Sequence, residues 1–216
     1  MLAPQCVYVI IDFLFLNDFL SLLIMTLKTF HLLTQNVVLG DVDSVQFLLK
    51  QGCDVHGEND LALRLAAGYG QTAVAKILLD SGADVRIQND YPLCCAAAMG
   101  HLSMVQLLLE RGADPQARNG YALFRAVRHG QLMVTQMLLN RGDYTGSQKD
   151  KAFLIAVRQD HSEMANLLLD QGADVHATQD SAIRMVGGSG NPIMLNLLLK
   201  AGAPQNKIRA RSRATP

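Results

Sequence analysis

The sequence predicts an all-α solenoid of antiparallel helix pairs joined by shortened return loops, and three observations carry that prediction. Leu49, Leu79, Leu109, Leu139, Leu169 and Leu199 recur at a period of 30 residues. Gly52, Gly82, Gly112, Gly142, Gly172 and Gly202 follow three places later on the same period. Between these marks the apolar residues fall at helical spacing, as in Leu93, Ala96 and Ala97 and again in Leu102, Val105, Leu108 and Leu109. A fixed period of roughly 20 to 50 residues marks a chain whose units bury their apolar faces only against their neighbours.

Residues 91–120 show how one unit is built. Pro92 suits a first helical turn, where its missing N–H would have no partner anyway. Gly100 ends that helix, because glycine adopts the left-handed conformation at little cost. "HLSMVQLLLER" forms a second helix, Gly112 ends it, and "ADPQARNG" returns the chain to the next unit. Small pairs let first helices approach closely: Ala66 and Ala67, Ala96 and Ala97, Ala126 and Val127, Ala156 and Val157. Asp60, Asp90, Asp150 and Asp180 stand where they would cap the first helices. Units are expected at residues 31–60, 61–90, 91–120, 121–150, 151–180 and 181–208. In the fourth, "RGDYTGSQ" replaces the usual Gly-Ala-Asp, so a rebuilt and locally weaker junction is expected there. The last first helix, "SAIRMVGGSG", is weakened by Gly187 and Gly188, at roughly 1 kcal/mol each relative to alanine.

Composition narrows the function classes. Half of the 216 residues are apolar and the formal net charge is zero, which excludes a disordered chain and a protein-wide field for nucleic acid. Four cysteines without CxxC or Cys/His spacing make neither a zinc site nor a disulfide framework. Adjacent Cys94 and Cys95 could not pair without strain, and Cys53 stands where sister units carry alanine. A reducing, cytoplasmic setting follows as the expectation.

Residues 1–30 contain no glycine and stand outside the period. The apolar run at 7–27 is interrupted by Asp12 and Asp18. Each Asp costs roughly 3 kcal/mol near a bilayer centre and each Leu, Ile, Phe or Val returns roughly 0.3–0.6, so the sum for insertion is close to zero. The two acids stand about 120° apart around a helix, so no clean amphipathic face forms. No basic residue precedes the run, as a signal peptide would require. A cap on the first unit, a marginal membrane anchor and an extension upstream of a start at Met25 all remain open. Residues 209–216 close the chain as a basic tail.

No catalytic motif, cofactor motif or metal-ligand spacing is present, and no enzyme or small-molecule substrate is expected. "GGSGNP" at Gly187 to Pro192 follows a helical segment, whereas a phosphate cradle needs a strand before it. The Arg141-Gly142-Asp143 tripeptide takes its glycine from the repeat frame. His56 and His176 share one repeat position and His101 and His161 another, but Arg86, Gln116 and Gln131 interrupt both series, so loop capping is the expected role.

"YPLCCAAAMGHLSMVQLLLERGAD" resembles the ankyrin repeat pattern: a TPLH-like start, paired alanines, glycine, a VxLLL second helix and Gly-Ala-Asp. The resemblance runs in register over about residues 31–208. Units of 30 rather than 33 residues are similar to those of ankyrin proteins of giant DNA viruses; the missing residues shorten the return loop to "QNDYP", "RNGYA" or "TQDSA". The resemblance implies a non-catalytic scaffold that binds a protein on its concave side, here at Tyr69, Tyr91, Met99, Tyr121, Arg125, Arg128, His129, Lys151 and Arg158, with Asn89, Asn119, Lys149 and Gln159 alongside. Arg125 stands where sister units carry Leu65, Cys95, Ile155 and Met185. Two alternatives are a membrane-tethered adaptor held by residues 7–27 and a binder of acidic, phosphorylated or nucleic-acid partners through the mid-array cations.

Overall fold

The structure, a computed structural model, describes residues 27–189 and 191–207. Expectations that fall on residues 1–26 and on the 209–216 tail therefore lie outside the described residues. Helix pairs follow one another: α1 (27–39) with α2 (Val42–Lys50), α3 (Gly57–Tyr69) with α4 (Thr72–Asp80), and α5 (Ile87–Met99) with α6 (Leu102–Glu110). Next come α7 (Ala117–Arg128) with α8 (Leu132–Arg141), α9 (Gly146–Arg158) with α10 (Ser162–Asp170), and α11 (Ala177–Ser189) with α12 (Pro192–Lys200). No strand occurs among the described residues. First helices pack on first helices, α3 on α5 on α7 on α9 on α11, while the second helices form a parallel layer from α2 to α12.

Residue size sets the shape of the two layers. Ala62, Ala66, Ala96, Ala126, Ala152 and Ala156 are fully buried in the first layer; Leu78, Leu108, Leu138, Leu168 and Leu198 are fully buried in the second. Helices that meet on alanine approach more closely than helices that meet on leucine. The first-helix layer is therefore the shorter, inner side of the stack.

A left-handed turn replaces the expected short loop. Glu58, Asn59 and Asp60 all have φ between 50 and 57° and helical ψ. Gln88, Asn89 and Asp90 repeat this at φ 52–61°, and Arg118, Asn119 and Gly120 at φ 53–78°. Each left-handed residue costs roughly 1–2 kcal/mol in general, but Asn, Asp and Gly visit that region routinely. The pairs Asn59-Asp60, Asn89-Asp90 and Asn119-Gly120 occupy the places where the chain needs them. Three residues in this conformation bring the chain from one repeat to the next without a hairpin.

The aspartates that end these turns do something other than the capping expected of them. Asp60 and Asp90 are buried, and each accepts a backbone N–H from the following repeat: Asp84 N–H to Asp60 at 3.2 Å and Asp114 N–H to Asp90 at 2.9 Å. Asp150 accepts the Asp174 N–H at 2.7 Å. They cross-link repeats instead of capping their own helices. A second set of ties runs backward: Gln71, His101 and Gln131 reach the carbonyls of Val38, Gly68 and Ala98 at 3.0–3.2 Å, 33 residues earlier in each case. His56 and His176 bind Asp60 and Asp180 through Nδ1 at 3.0 and 2.8 Å. All four repeat-aligned histidines serve as loop anchors, since His161 faces the Arg128 carbonyl.

The fourth junction is rebuilt, and it is well bonded. Gly142 ends α8 in an extended conformation, φ −117°, where sister glycines are left-handed. Thr145 and Gln148 form a reciprocal capping box at the start of α9, and the Gln148 amide also donates to Gln116 and Asn119, each at 3.0 Å. Tyr144, standing where other units carry Asp54, Asp84, Asp114 and Asp174, is buried, and its hydroxyl donates to the Pro115 carbonyl at 3.0 Å. Burial pushes its phenol well above the usual tyrosine range. A Cβ added to Gly120 would lie 2.9 Å from the Tyr144 ring. Glycine at 120 removes the carboxylate that Asp60 and Asp90 supply, and the ring at 144 fills the vacated space. Elsewhere α11 runs as one helix through Gly187 and Gly188.

Two consequences can be measured. Gly120→Asp alone should destabilise by about 1–3 kcal/mol through collision with the ring, and Tyr144→Asp alone by about 3 kcal/mol or more through loss of a buried aromatic. Together they restore the arrangement of the other repeats, so chemical denaturation of the double variant should show a loss at least about 1 kcal/mol smaller than the sum; simple additivity would contradict the coupling. Burial also raises Asp90 above the ordinary 3.8, against the opposing Asp114 N–H and Arg86 charge. The folded state thus holds this proton more tightly, and the associated stability, complete below pH 3.8, is lost as pH rises through the raised value. Wild type should lose stability relative to Asp90→Asn across that rise in urea titrations at a series of pH values.

Candidate partner-binding face

The surface side of the first-helix layer places the residues of interest in two rows. Tyr91 and Tyr121 follow the left-handed turns within α5 and α7 directly, and Lys151 occupies the same repeat position on α9. The second row lies at the opposite helix ends, one repeat apart: Tyr69, Met99, then Arg128 with His129, then Arg158 with Gln159. Tyr69 is 57% exposed and Met99 59%, high values for such large apolar groups. Arg128, His129, Lys151, Arg158 and Gln159 are exposed, while Tyr91, Tyr121 and Arg125 are half-buried.

Cations and aromatic rings interleave between the rows. The Arg64 guanidinium lies 5.6 Å from the Tyr91 ring centroid, Arg118 lies 4.8 Å and Arg125 6.0 Å from that of Tyr121, and the Lys151 ammonium lies 4.7 Å from Phe124. These separations fall within the range in which a ring face attracts a cation. Cys95 sits between Arg64 and Arg125; burial raises its thiol above the ordinary value, against the Tyr91 hydroxyl and the fields of Arg125 and Arg64. The Nε atoms of Arg64 and Arg125 are shielded from solvent and have no hydrogen-bond acceptor. An unmade bond to a buried donor costs about 1–3 kcal/mol, so these are the two places on the face where the fold is least satisfied.

Some expected roles change. His129 is held below the ordinary imidazole value by partial desolvation and by Arg125 and Arg128, so it adds little positive charge at neutral pH. Lys149 donates to the Gln171 carbonyl at 3.0 Å, which ties it to the next loop and away from the face. Arg125 ceases to be odd once seen beside Tyr121. Arg64 and Arg118 belong to the cluster although the repeat pattern gives them no mark, because their equivalents vary freely: Arg64 aligns with Cys94, Phe124 and Leu154. Arg158 and Arg128 close their helices, where a positive charge suits the helix dipole. Among the described residues no group of His, Cys, Asp or Glu could hold a metal ion, and no helix is long and apolar enough to cross a membrane.

Residues 31–119 match the family model of ankyrin repeats in three copies, and residues 152–180 match that of a single ankyrin repeat. The chain belongs to the ankyrin repeat family. The rebuilt junction at Gly142 to Gln148 lies between the two matched stretches. The crystal structure of the human ASB11 ankyrin repeat domain is similar, with 25% identity and a TM-score of 0.71 over 80% of this chain and 84% of that one. No curated protein matches the sequence. Ankyrin repeats generally act as protein–protein interaction modules, and the fold is typically a non-catalytic scaffold.

Within this ankyrin array, Arg125 occupies a position that other repeats fill with an apolar residue. Arg125→Leu removes an unsatisfied buried donor, and its thermal midpoint should equal or exceed that of wild type by a few degrees. A fall of several degrees would show that the Tyr121 contact stabilises the fold more than the orphaned donor weakens it.

Proposed function

We propose that this chain is a non-catalytic adaptor that binds a protein partner across the inner face of its first-helix layer. The observation that carries this reading is the placement of Tyr69 and Met99, large and more than half exposed, in register with His129 and Gln159 and followed on successive repeats by the adjacent Arg128 and Arg158. A monomer has no folding reason to present such a row, and tyrosine and arginine are the side chains that most often supply interface energy. The stacked helices hold the row rigid, so little ordering entropy opposes binding. With left-handed turns in place of projecting hairpins, the groove is shallow and contacts concentrate on the helices. A cytoplasmic setting agrees with the free thiols of Cys53, Cys94 and Cys95.

The test is quantitative affinity capture with the full chain beside the Tyr69→Ser, Met99→Ser double variant, both checked for helicity by circular dichroism. Proteins captured by wild type should fall about tenfold or more with the variant, since each large side chain at an interface centre is worth roughly 1–2 kcal/mol or more. Unchanged capture would move recognition to the second-helix layer or to the chain ends.

A further inference from the structure

Charge is segregated in this molecule. Lys and Arg number 19 and Asp and Glu number 19 over the whole sequence, so no excess of either sign requires a basic face. Yet the four helical segments 61–69, 91–99, 121–129 and 151–159 contain Arg64, Arg125, Arg128, Lys151 and Arg158 and not one carboxylate. The acids are elsewhere. Asp60, Asp90 and Asp150 are occupied in binding loop N–H groups, and Asp43, Asp80, Glu110, Glu163 and Asp170 lie on the second-helix layer. Of the carboxylates nearest the face, Asp160 is bound by Asn191, and Glu58 offers Arg64 only its backbone carbonyl, at 3.5 Å. The three ion pairs among the described residues, Asp60 with His56, Asp80 with Arg111 and Asp180 with His176, involve none of the five cations.

We propose that the partner presents an extended acidic segment, with one carboxylate seated between Arg64 and Arg125 above Cys95 and another along Arg128 and Arg158. This rests on the binding face proposed above and names the chemistry of its occupant. Arg64 and Arg125 approach Cys95 from the repeats on either side, and neither guanidinium is paired with a carboxylate among the described residues. A carboxylate is the planar, doubly accepting group that a guanidinium pairs with best. The exposed Tyr69 and Met99 give apolar side chains of the same segment a place to rest. A nucleic-acid strand fits less well. Single-strand binders stack bases on open ring faces, whereas Tyr91, Tyr121 and Phe124 already have cations over theirs.

The experiment selects from a random twelve-residue peptide display library on the full chain. The best peptides are then measured as fluorescein conjugates by anisotropy, each beside a counterpart with every Asp and Glu replaced by Asn and Gln, and beside single-stranded oligo-dT. Selected peptides should be enriched in Asp and Glu, and their amide counterparts should bind at least about tenfold more weakly, with affinity falling as salt rises from low to physiological strength. Arg64→Gln with Arg125→Gln should lose about tenfold or more. Arg128→Gln with Arg158→Gln, at exposed positions where folding is not at stake, should also lose severalfold. Peptides without acidic bias that are insensitive to both charge variants but lost with Tyr69→Ser, Met99→Ser would overturn the acidic reading and leave the face standing. Peptides indifferent to all three variants would overturn both. Tighter binding of oligo-dT than of any peptide, or no enrichment at all, would also overturn the acidic-peptide assignment.

Discussion

Everything in this array depends on reversing the chain within thirty residues. Two helices consume most of each unit, and the return must be made in a handful of residues that also set the distance to the next repeat. Three consecutive left-handed residues meet that demand at three of the junctions, and two of every three are Asn, Asp or Gly, which bear the strain most easily, while Glu58, Gln88 and Arg118 hold the first place. The same turn delivers Asp60 and Asp90 to the N–H of the loop ahead, so one local conformation both reverses the chain and bolts two repeats together. The backward ties from Gln71, His101 and Gln131 complete the lattice on the opposite edge.

With the stacking fixed from both edges, the surface side of the first helices is free to vary from repeat to repeat. A stack that needed its inner face for stability would keep apolar residues at every equivalent place, as at Leu65, Ile155 and Met185. Arg125 breaks that series and leaves a donor unsatisfied. Proteins tolerate such local loss at functional sites while the surrounding structure holds the geometry.

Much of the fold was readable in advance because the 30-residue period is independent of side-chain detail. The helix pairs, the alanine contacts and the glycine stops at positions such as Gly100 all come from residue types with a single strong preference. The aspartates were harder, since Asp before a helix is favoured both as a cap and as a left-handed residue, and only the direction of the backbone distinguishes the two. The pairing of Asn with Asp or Gly at 59–60, 89–90 and 119–120 is the signal that could have separated them. For the candidate face, Tyr69, Met99, Tyr121 and Arg125 were legible by register, because equivalent positions line up across repeats. Arg64 and Arg118 were not, because their place beside Tyr91 and Tyr121 depends on how long side chains fold across a repeat boundary. An orphaned Nε is a property of packing and has no sequence signature.

The exchange at Gly120 and Tyr144 bears on how such an array is inherited. Repeats joined by identical joints can be duplicated, deleted or shuffled one at a time, because any unit fits any neighbour. This joint is different: the small residue belongs to one unit and the large one to the next. Cutting between them leaves either a ring with nowhere to go or a void with nothing to fill it. The two residues must be copied as a set, which makes this junction a seam across which the array cannot be freely recombined.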